Sequence, residues 1–328
     1  MTTWSVSTAG EALIDMVRQS DGRYLPCLGG AVYNLSRALA RQGVPVMYMN
    51  PLSFDRFGRQ LAAALAADGA VLARPQPVSE VTSLAVVGVN DQGHPDYAFY
   101  REAVADRAIS FDALNAACAD APMLDIVCTG CLALAPADAD KYLPWLAAQK
   151  AAGRWVVVDA NLRPSVVPDL APYRANVLRA LALADLIKAS DEDLQVLQVP
   201  GNGALDQAQR LLASVNAGMM ALTLGAQGAV LLCKTAQGIV QVHGQEAGPV
   251  PVVDTVGAGD SFLAGLLTRL IRLAQAAQCS PAHMAQRLDR AHMEALAAHA
   301  LATAFGQAAP IQWAVVLGVR GHQGHAPA

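Results

Sequence analysis

The chain is short of charge. Of its 328 residues only 15% are Asp, Glu, Lys or Arg, the net charge is −4, and no block of Lys or Arg occurs. The electrostatic footprint of a nucleic-acid binder is therefore missing. Long uninterrupted apolar runs are missing too. Segments such as FLAGLLTRLIRLA are cut by arginine well short of the ~18–20 residues that cross a bilayer. The opening MTTWSVSTAG lacks a charged segment followed by an apolar one, so the sequence predicts no signal peptide and a cytoplasmic protein. The six cysteines (Cys27, Cys118, Cys128, Cys131, Cys233 and Cys279) are scattered, unlike the framework of a small disulfide-bonded domain. Cys128 and Cys131 form a C-x-x-C. A redox or metal site there needs a helix start or a second ligand pair, and the sequence offers neither, so the pair reads as a buried strand end.

What is present is a large apolar majority, 54% of the chain, enough for a sizeable core and against disorder. Strand-like runs (WSVSTAG, VPVMYMNPL, MLDIVCTGCLAL, RWVVVDANLR, ADLIKAS, MMALTLG, GAVLLC) alternate with helical ones such as AVYNLSRALARQG and DRFGRQLAAALAADG, both closed by glycine. That alternation predicts an α/β fold with a central, mostly parallel sheet and helices on both faces. Ligands of such sheets bind beyond the carboxyl ends of the strands. Two segments break the rhythm. ALIDMVRQSDGRYLPCLGG turns at Ser20-Asp21-Gly22, and TSLAVVGVNDQGHPDYAFYRE turns at Asp91-Gln92-Gly93. They predict a small lid of four short antiparallel strands. The expected division is a core of residues 1–10, 28–80 and 108–318, a β lid of residues 11–27 and 81–107, and a flexible tail at 319–328.

One loop carries the chemistry. DTVGAGDSF (254–262) sets Gly257, Ala258 and Gly259 before a long helix, between two aspartates and without a lysine. It is not a Walker A loop, which requires G-x-x-x-x-G-K-[ST]. Free backbone N–H groups at a helix N-terminus hold an anion without a cationic side chain, and small residues let phosphate oxygens approach. Asp260 then falls in the first helical turn, where a carboxylate takes a proton from a hydroxyl nucleophile. Spacing alone leaves a second reading open: an ordinary helix start with an aspartate favoured by the dipole.

DTVGAGDSF resembles the C-terminal signature of the PfkB/ribokinase family of sugar kinases, and LGGAVYNLSRALARQG (28–43) resembles its N-terminal signature. The resemblance spans nearly the whole chain and implies a ribokinase-like fold. It implies that Asp260 is the catalytic base, that Gly257, Ala258 and Gly259 form the anion hole, and that Asp254 with the Val256 carbonyl belongs to a monovalent-cation site, for an ion such as K⁺. LTLGAQGAVLL resembles the family's T-x-G-x-x-G nucleotide segment, which assigns Thr223, Gly225 and Gly228 to ATP. DLIKASDEDL resembles the K-x-S-x-x-E segment of the fructokinase-like members. There Lys188 would touch nucleotide phosphate, and Asp193, in place of glutamate, would join the Mg²⁺-bound waters. The implied cofactors are ATP and Mg²⁺. The implied partners are a small sugar and ATP, with neither nucleic acid nor membrane, and the lids of the family imply a homodimer.

For the sugar, Asp15 follows a strand into the first lid hairpin, where a carboxylate accepts from neighbouring hydroxyls. Gly29 and Gly30 let a sugar lie against the backbone, and Asn34 offers both donor and acceptor. YAFYREAVAD (97–106) and DANLRP (159–164) resemble the F-x-F-Y-R-x-x-x-A-D and D-x-N-x-R-P patterns of fructokinases. Tyr100 and Arg101 would then reach the sugar from the lid, and Arg163 would steady substrate or phosphate charge; either arginine has a structural ion pair as its alternative. The expected function is ATP-dependent phosphorylation of fructose. A 2-keto-3-deoxygluconate kinase or another sugar kinase of the family is the alternative, and a non-catalytic sugar or nucleotide sensor is the rival from another class.

Overall fold

The structure is a computed structural model that describes residues 5–19, 21–89, 95–121, 124–167, 169–245 and 257–304. The chain opens with strand β1 (Ser5–Thr8), the pair β2 (Leu13–Arg18) and β3 (Tyr24–Gly29), and helix α1 (Ala31–Arg41). It continues through β4 (Val46–Tyr48), α2 (Arg56–Asp68), β5 (Val71–Leu72), β6 (Ser83–Val89) and β7 (Pro95–Tyr100). Strand and helix then alternate: α3 (Phe111–Ala119), β8 (Leu124–Gly130), α4 (Ala139–Ala151), β9 (Trp155–Asp159), α5 (Leu170–Leu183) and β10 (Leu186–Ser190). Helices α6 (Asp191–Val196) and α7 (Ala204–Ser214) lead to β11 (Met219–Thr223), β12 (Ala229–Thr235) and β13 (Gly238–Gly244). Three helices follow: α8 (Ala258–Ala276), α9 (Pro281–Gln286) and α10 (Arg290–Ala304). Local chemistry sets such boundaries. Asp55 accepts the Gly58 N–H at 2.7 Å to start α2, and Gly69 ends that helix in the left-handed region.

Among the described residues nine strands form one sheet in the order β13-β12-β11-β10-β9-β8-β1-β4-β5. It is parallel from β5 to β11 and turns antiparallel at β12 and β13. Its period of two feeds two cores. Trp155 and Val157 face one cluster with α1, α2, α8, α9 and α10, while Val156 and Val158 face the other with α3 to α7. A fully buried side chain of this kind contributes about 1.5–3 kcal/mol, so covering both faces is what holds the parallel strands in place.

The lid is a four-stranded sheet, β3-β2-β6-β7. It corrects one expectation: the two hairpins are antiparallel within themselves, but β2 and β6, which join them, run parallel. Each hairpin leaves the core separately, so no tight turn forces the middle pair to reverse. The turn at Asp91-Gln92-Gly93 and the tail at 319–328 lie outside the described residues. Alternation again sorts the side chains. Leu13 and Ala85 pack down on Cys131 and Leu132 of the core, with Phe99 beside them. Met16, Tyr24, Leu84, Val86 and Tyr100 face outward around a hollow of about 390 Å³. Among the described residues no helix is long and apolar enough to cross a membrane.

Candidate active site

The carboxyl ends of β1, β9 and β10 meet the N-termini of α1 and α8, with β11 paired next to β10. Gly257, at φ +77°, turns the chain into α8 through the left-handed region, a conformation that favours glycine. The first N–H groups of α8, from Ala258 and Gly259 onward, have no carbonyl one turn back and leave the helix end as donors. Asp260 lies in this first turn and is only 6% exposed. Its Oδ2 accepts from Asn34 Nδ2 at 3.0 Å and its Oδ1 from Asn161 Nδ2 at 3.5 Å. Burial pushes its carboxyl up to about 6, against the pull of Lys188, Asn34 and Arg163. A carboxylate that titrates there is a stronger base than an exposed one and is still ionised at neutral pH.

Asn34 rides one turn into α1, and its own Oδ1 is buried without a hydrogen bond among the described residues. Such an orphan costs ~1–3 kcal/mol unless a donor arrives. A hydroxyl brought up to Asp260 is a donor of the right kind. Asn161, at φ +36°, is the second amide on Asp260; sequence reasoning stopped at Arg163 of the same DANLRP run, although Asn161 and Asp159 stand in it too.

Lys188 is buried on β10 and pairs with Asp159 at 3.0 Å. Burial weakens its ammonium, but the carboxylates of Asp159, Asp193 and Asp260 outweigh that and hold it above the ordinary lysine value. A Cβ added to Gly259 would lie 2.9 Å from Lys188 Nζ, so the charge rests against the first turn of α8. Arg163 is exposed just past β9 and, among the described residues, is hydrogen-bonded through Nη1 to the Leu162 and Asn161 carbonyls. Thr223 ends β11 beside Ser190, and the following turn needs its glycines: Gly225 at φ +54° and Gly228 at φ +85°, where a Cβ would meet the Gly244 carbonyl at 2.2 Å.

On the lid side, Asp15 and Gly29 are in contact: a Cβ on Gly29 would fall 2.0 Å from Asp15 Oδ2. Gly30, at φ +107°, leads into α1.

Three sequence-assigned side chains have partners or directions the motifs did not suggest. Arg101 is 9% exposed, with Nη2 at 3.0 Å from Asp106 and Nη1 at 3.9 Å from Asp138, so its fork faces inward to carboxylates. Tyr100, 61% exposed, stands on the outward face of the lid, opposite to Asp15, because strand alternation puts even and odd positions on opposite sides. Asp193 has both oxygens in use, one on the Ser190 N–H in a capping box for α6 and one on the Leu162 N–H, each at 2.8 Å. Asp254 and Val256 lie outside the described residues. Cys128 and Cys131 are buried free thiols that burial pushes well up, which leaves them protonated. Among the described residues no three His, Cys, Asp or Glu side chains converge as a metal cage.

Fold and known relatives together define the class: the chain is a phosphotransferase whose acceptor is a sugar hydroxyl. It belongs to the pfkB family of carbohydrate kinases, whose model matches residues 6–304. It is 32% identical to a fructokinase of Rhizobium leguminosarum bv. trifolii over 275 residues, 80% of this chain and 78% of that one. It is 30% identical to a fructokinase of Vibrio alginolyticus over 271 residues, 81% and 84% of the two chains. A fructokinase double mutant from Vibrio cholerae O395, solved in its fructose, ADP and potassium ion bound form, superposes with a TM-score of 0.71 at 26% identity, covering 92% and 93% of the chains. Aminoimidazole riboside kinase from Salmonella enterica, complexed with aminoimidazole riboside and an ATP analog, gives 0.73 at 27%, covering 93% of each.

Proposed function

We propose that the chain is a fructokinase, transferring the γ-phosphoryl group of ATP to a hydroxyl of fructose. The observation that carries this reading is the pair at the head of α8: a buried aspartate with its carboxyl raised to about 6, held by an asparagine whose second polar atom waits for a donor. Asp260 draws the proton from the hydroxyl. The N–H groups of Gly257, Ala258 and Gly259 and the Lys188 ammonium hold the charge that gathers on the phosphoryl oxygens. Arg163 steadies it from the open side. Thr223, Gly225 and Gly228 form the floor for the nucleotide.

The donor set fits a divalent ion carried by the nucleotide, since Mg²⁺ is bound by substrate phosphates with one or two carboxylates rather than by a protein cage. When bound, that ion neutralises the phosphate oxygens. Asp193, with both oxygens engaged, contributes to its waters only through a remaining lone pair. A monovalent ion such as K⁺ is assigned to Asp254 and the Val256 carbonyl.

Asp15 and Asn34 hold the sugar. The acidic alternative, a keto acid, needs a free lid cation, and Arg101 is already matched to Asp106 and Asp138. The test is ADP release with fructose, ribose, 2-keto-3-deoxygluconate and nucleosides side by side. Fructose is expected to give the highest kcat/KM. A preference for the keto acid overturns the substrate, and no turnover with any sugar returns the chain to a sensor.

The Asp15–Gly29 contact gives a sharper check. Gly29→Ala places a methyl on Asp15 and swings its carboxylate away. Losing a charge-assisted hydrogen bond worth about 1.5–3 kcal/mol raises the fructose KM roughly 10- to 100-fold with kcat little changed. An unchanged KM removes Asp15 from the sugar site. The outward lid face, with Tyr24 and Tyr100 exposed around their hollow, is where we place the homodimer contact; light scattering that reads a monomer at working concentration dismisses it.

A further inference from the structure

Glu11 stands at the junction of the core strand β1 and the lid strand β2, and no step described above uses it. It is 2% exposed, an expensive place for a carboxylate. Its surroundings explain what it does. Helix α1 begins after Gly30, whose lack of a side chain leaves the N-terminus without a cap of its own. Glu11 supplies one from twenty residues upstream: Oε1 accepts the Ala31 N–H at 2.9 Å, and its backbone carbonyl accepts the Tyr33 N–H at 3.3 Å. The fit leaves no slack, since a Cβ on Gly30 would lie 2.6 Å from the Glu11 carbonyl oxygen. One turn into that helix is Asn34, whose Nδ2 holds Asp260. On its other side Glu11 feels the Arg101 guanidinium at the end of β7 and the Cys131 thiol. Its Oε2 and the Arg101 Nε are both buried without a hydrogen bond among the described residues.

We propose that Glu11 is a positioning residue for the catalytic aspartate: by capping α1 from the lid junction it fixes Asn34, and through Asn34 the carboxylate of Asp260. The element that joins lid to core is thus also the one that sets the base. A shift of about 1 Å in a group remote from the chemistry costs up to ~10²-fold in rate.

The inference rests on Asp260 as the base, so Asp260→Asn is run beside the series and reads that premise separately. Glu11→Gln keeps the reach and the acceptor oxygen but removes the charge. Glu11→Asp keeps the charge but is one methylene too short to meet Ala31. Glu11→Ala keeps neither. The expected order in kcat is Gln close to wild type, with Asp and Ala about 10- to 100-fold lower and fructose KM changed less than kcat. If one short variant fails to fold, the other and Gln still rank. A cycle with Asn34→Ala completes the test: adding Glu11→Ala or Glu11→Asp to Asn34→Ala is expected to cost little more kcat than Asn34→Ala alone. Losses that multiply, or a Gln variant as slow as Asp, overturn the proposal. A dead Asp260→Asn with that outcome leaves the base standing and removes only Glu11; an active one removes the base itself.

Discussion

Asp260→Asn is expected to fold, to bind sugar and nucleotide, and to turn over ~10²–10⁴-fold more slowly than the wild type. The amide keeps the shape and accepts from Asn34, yet takes no proton. The same substitution is expected to change stability in the opposite sense from activity. The wild-type carboxyl titrates near 6 in the fold against an ordinary 3.8. Because the folded value is raised, its contribution to stability is fully present below pH 3.8 and is lost as pH rises through 6. Above that range the wild type carries the cost of a buried charge, ~3 kcal/mol, that the amide does not. Thermal melts from pH 4 to pH 7.5 should therefore show the variant gaining on the wild type as pH rises. The acid limb of wild-type kcat/KM should bend near pH 6, not near 4. Near-wild-type turnover removes Asp260 from the reaction, and a pH-independent gap in stability removes the buried-charge account.

Arg101→Met is expected to be the most damaging single change in the lid, through stability more than through sugar affinity. Arg101 sits in a buried group of opposing charges: Asp106 and Asp138 on one side, Arg107 and Lys141 on the other, with Arg107 at 2.9 Å and Lys141 at 3.0 Å from Asp138. Asp106 accepts from Ser83 as well, but Arg101 is its only ion-pair partner among the described residues. Removing one member of a buried pair strands the other, which costs ~3–5 kcal/mol. For a chain of this size that is a fall in Tm of roughly 4–7 °C. Adding Asp106→Asn to the variant removes the stranded charge and should recover part of the loss. If Tm holds while the fructose KM rises sharply, Arg101 is a substrate arginine, the role its motif suggests.

That contrast shows where the sequence was readable. Strand and helix periods, the closing glycines and the two signatures located the sheet, the helices and the GAG loop, because each rests on short-range chemistry. Asp260 and Asn34 were assigned from motifs 226 residues apart, and they meet in one hydrogen bond. What a motif does not carry is direction. Tyr100 and Arg101 are neighbours in YAFYRE, yet Tyr100 turns outward and Arg101 inward. The partners that hold Arg101, Asp106 and Asp138, come from outside the lid strands. Glu11 was passed over for a related reason. Its value lies in reaching a helix twenty residues downstream, and a glutamate after a short strand has no local sign of that. The parallel pairing of β2 with β6 was equally hidden, being fixed by how two hairpins hang from one core.

The Asn34–Asp260 bond also joins two residues made far apart in time. At the usual ~5–20 residues per second of synthesis, Asp260 is made roughly 11–45 s after the asparagine that will hold it. During that interval α1 can pack on β1, β4 and α2, but it lacks α8, the helix it packs against most. The lid is early, its strands complete by Tyr100, while Asp260, the proposed base, follows on α8. A nascent chain therefore owns a cover before it owns the base we propose, and on that proposal activity waits until Asn34 and Asp260 have met.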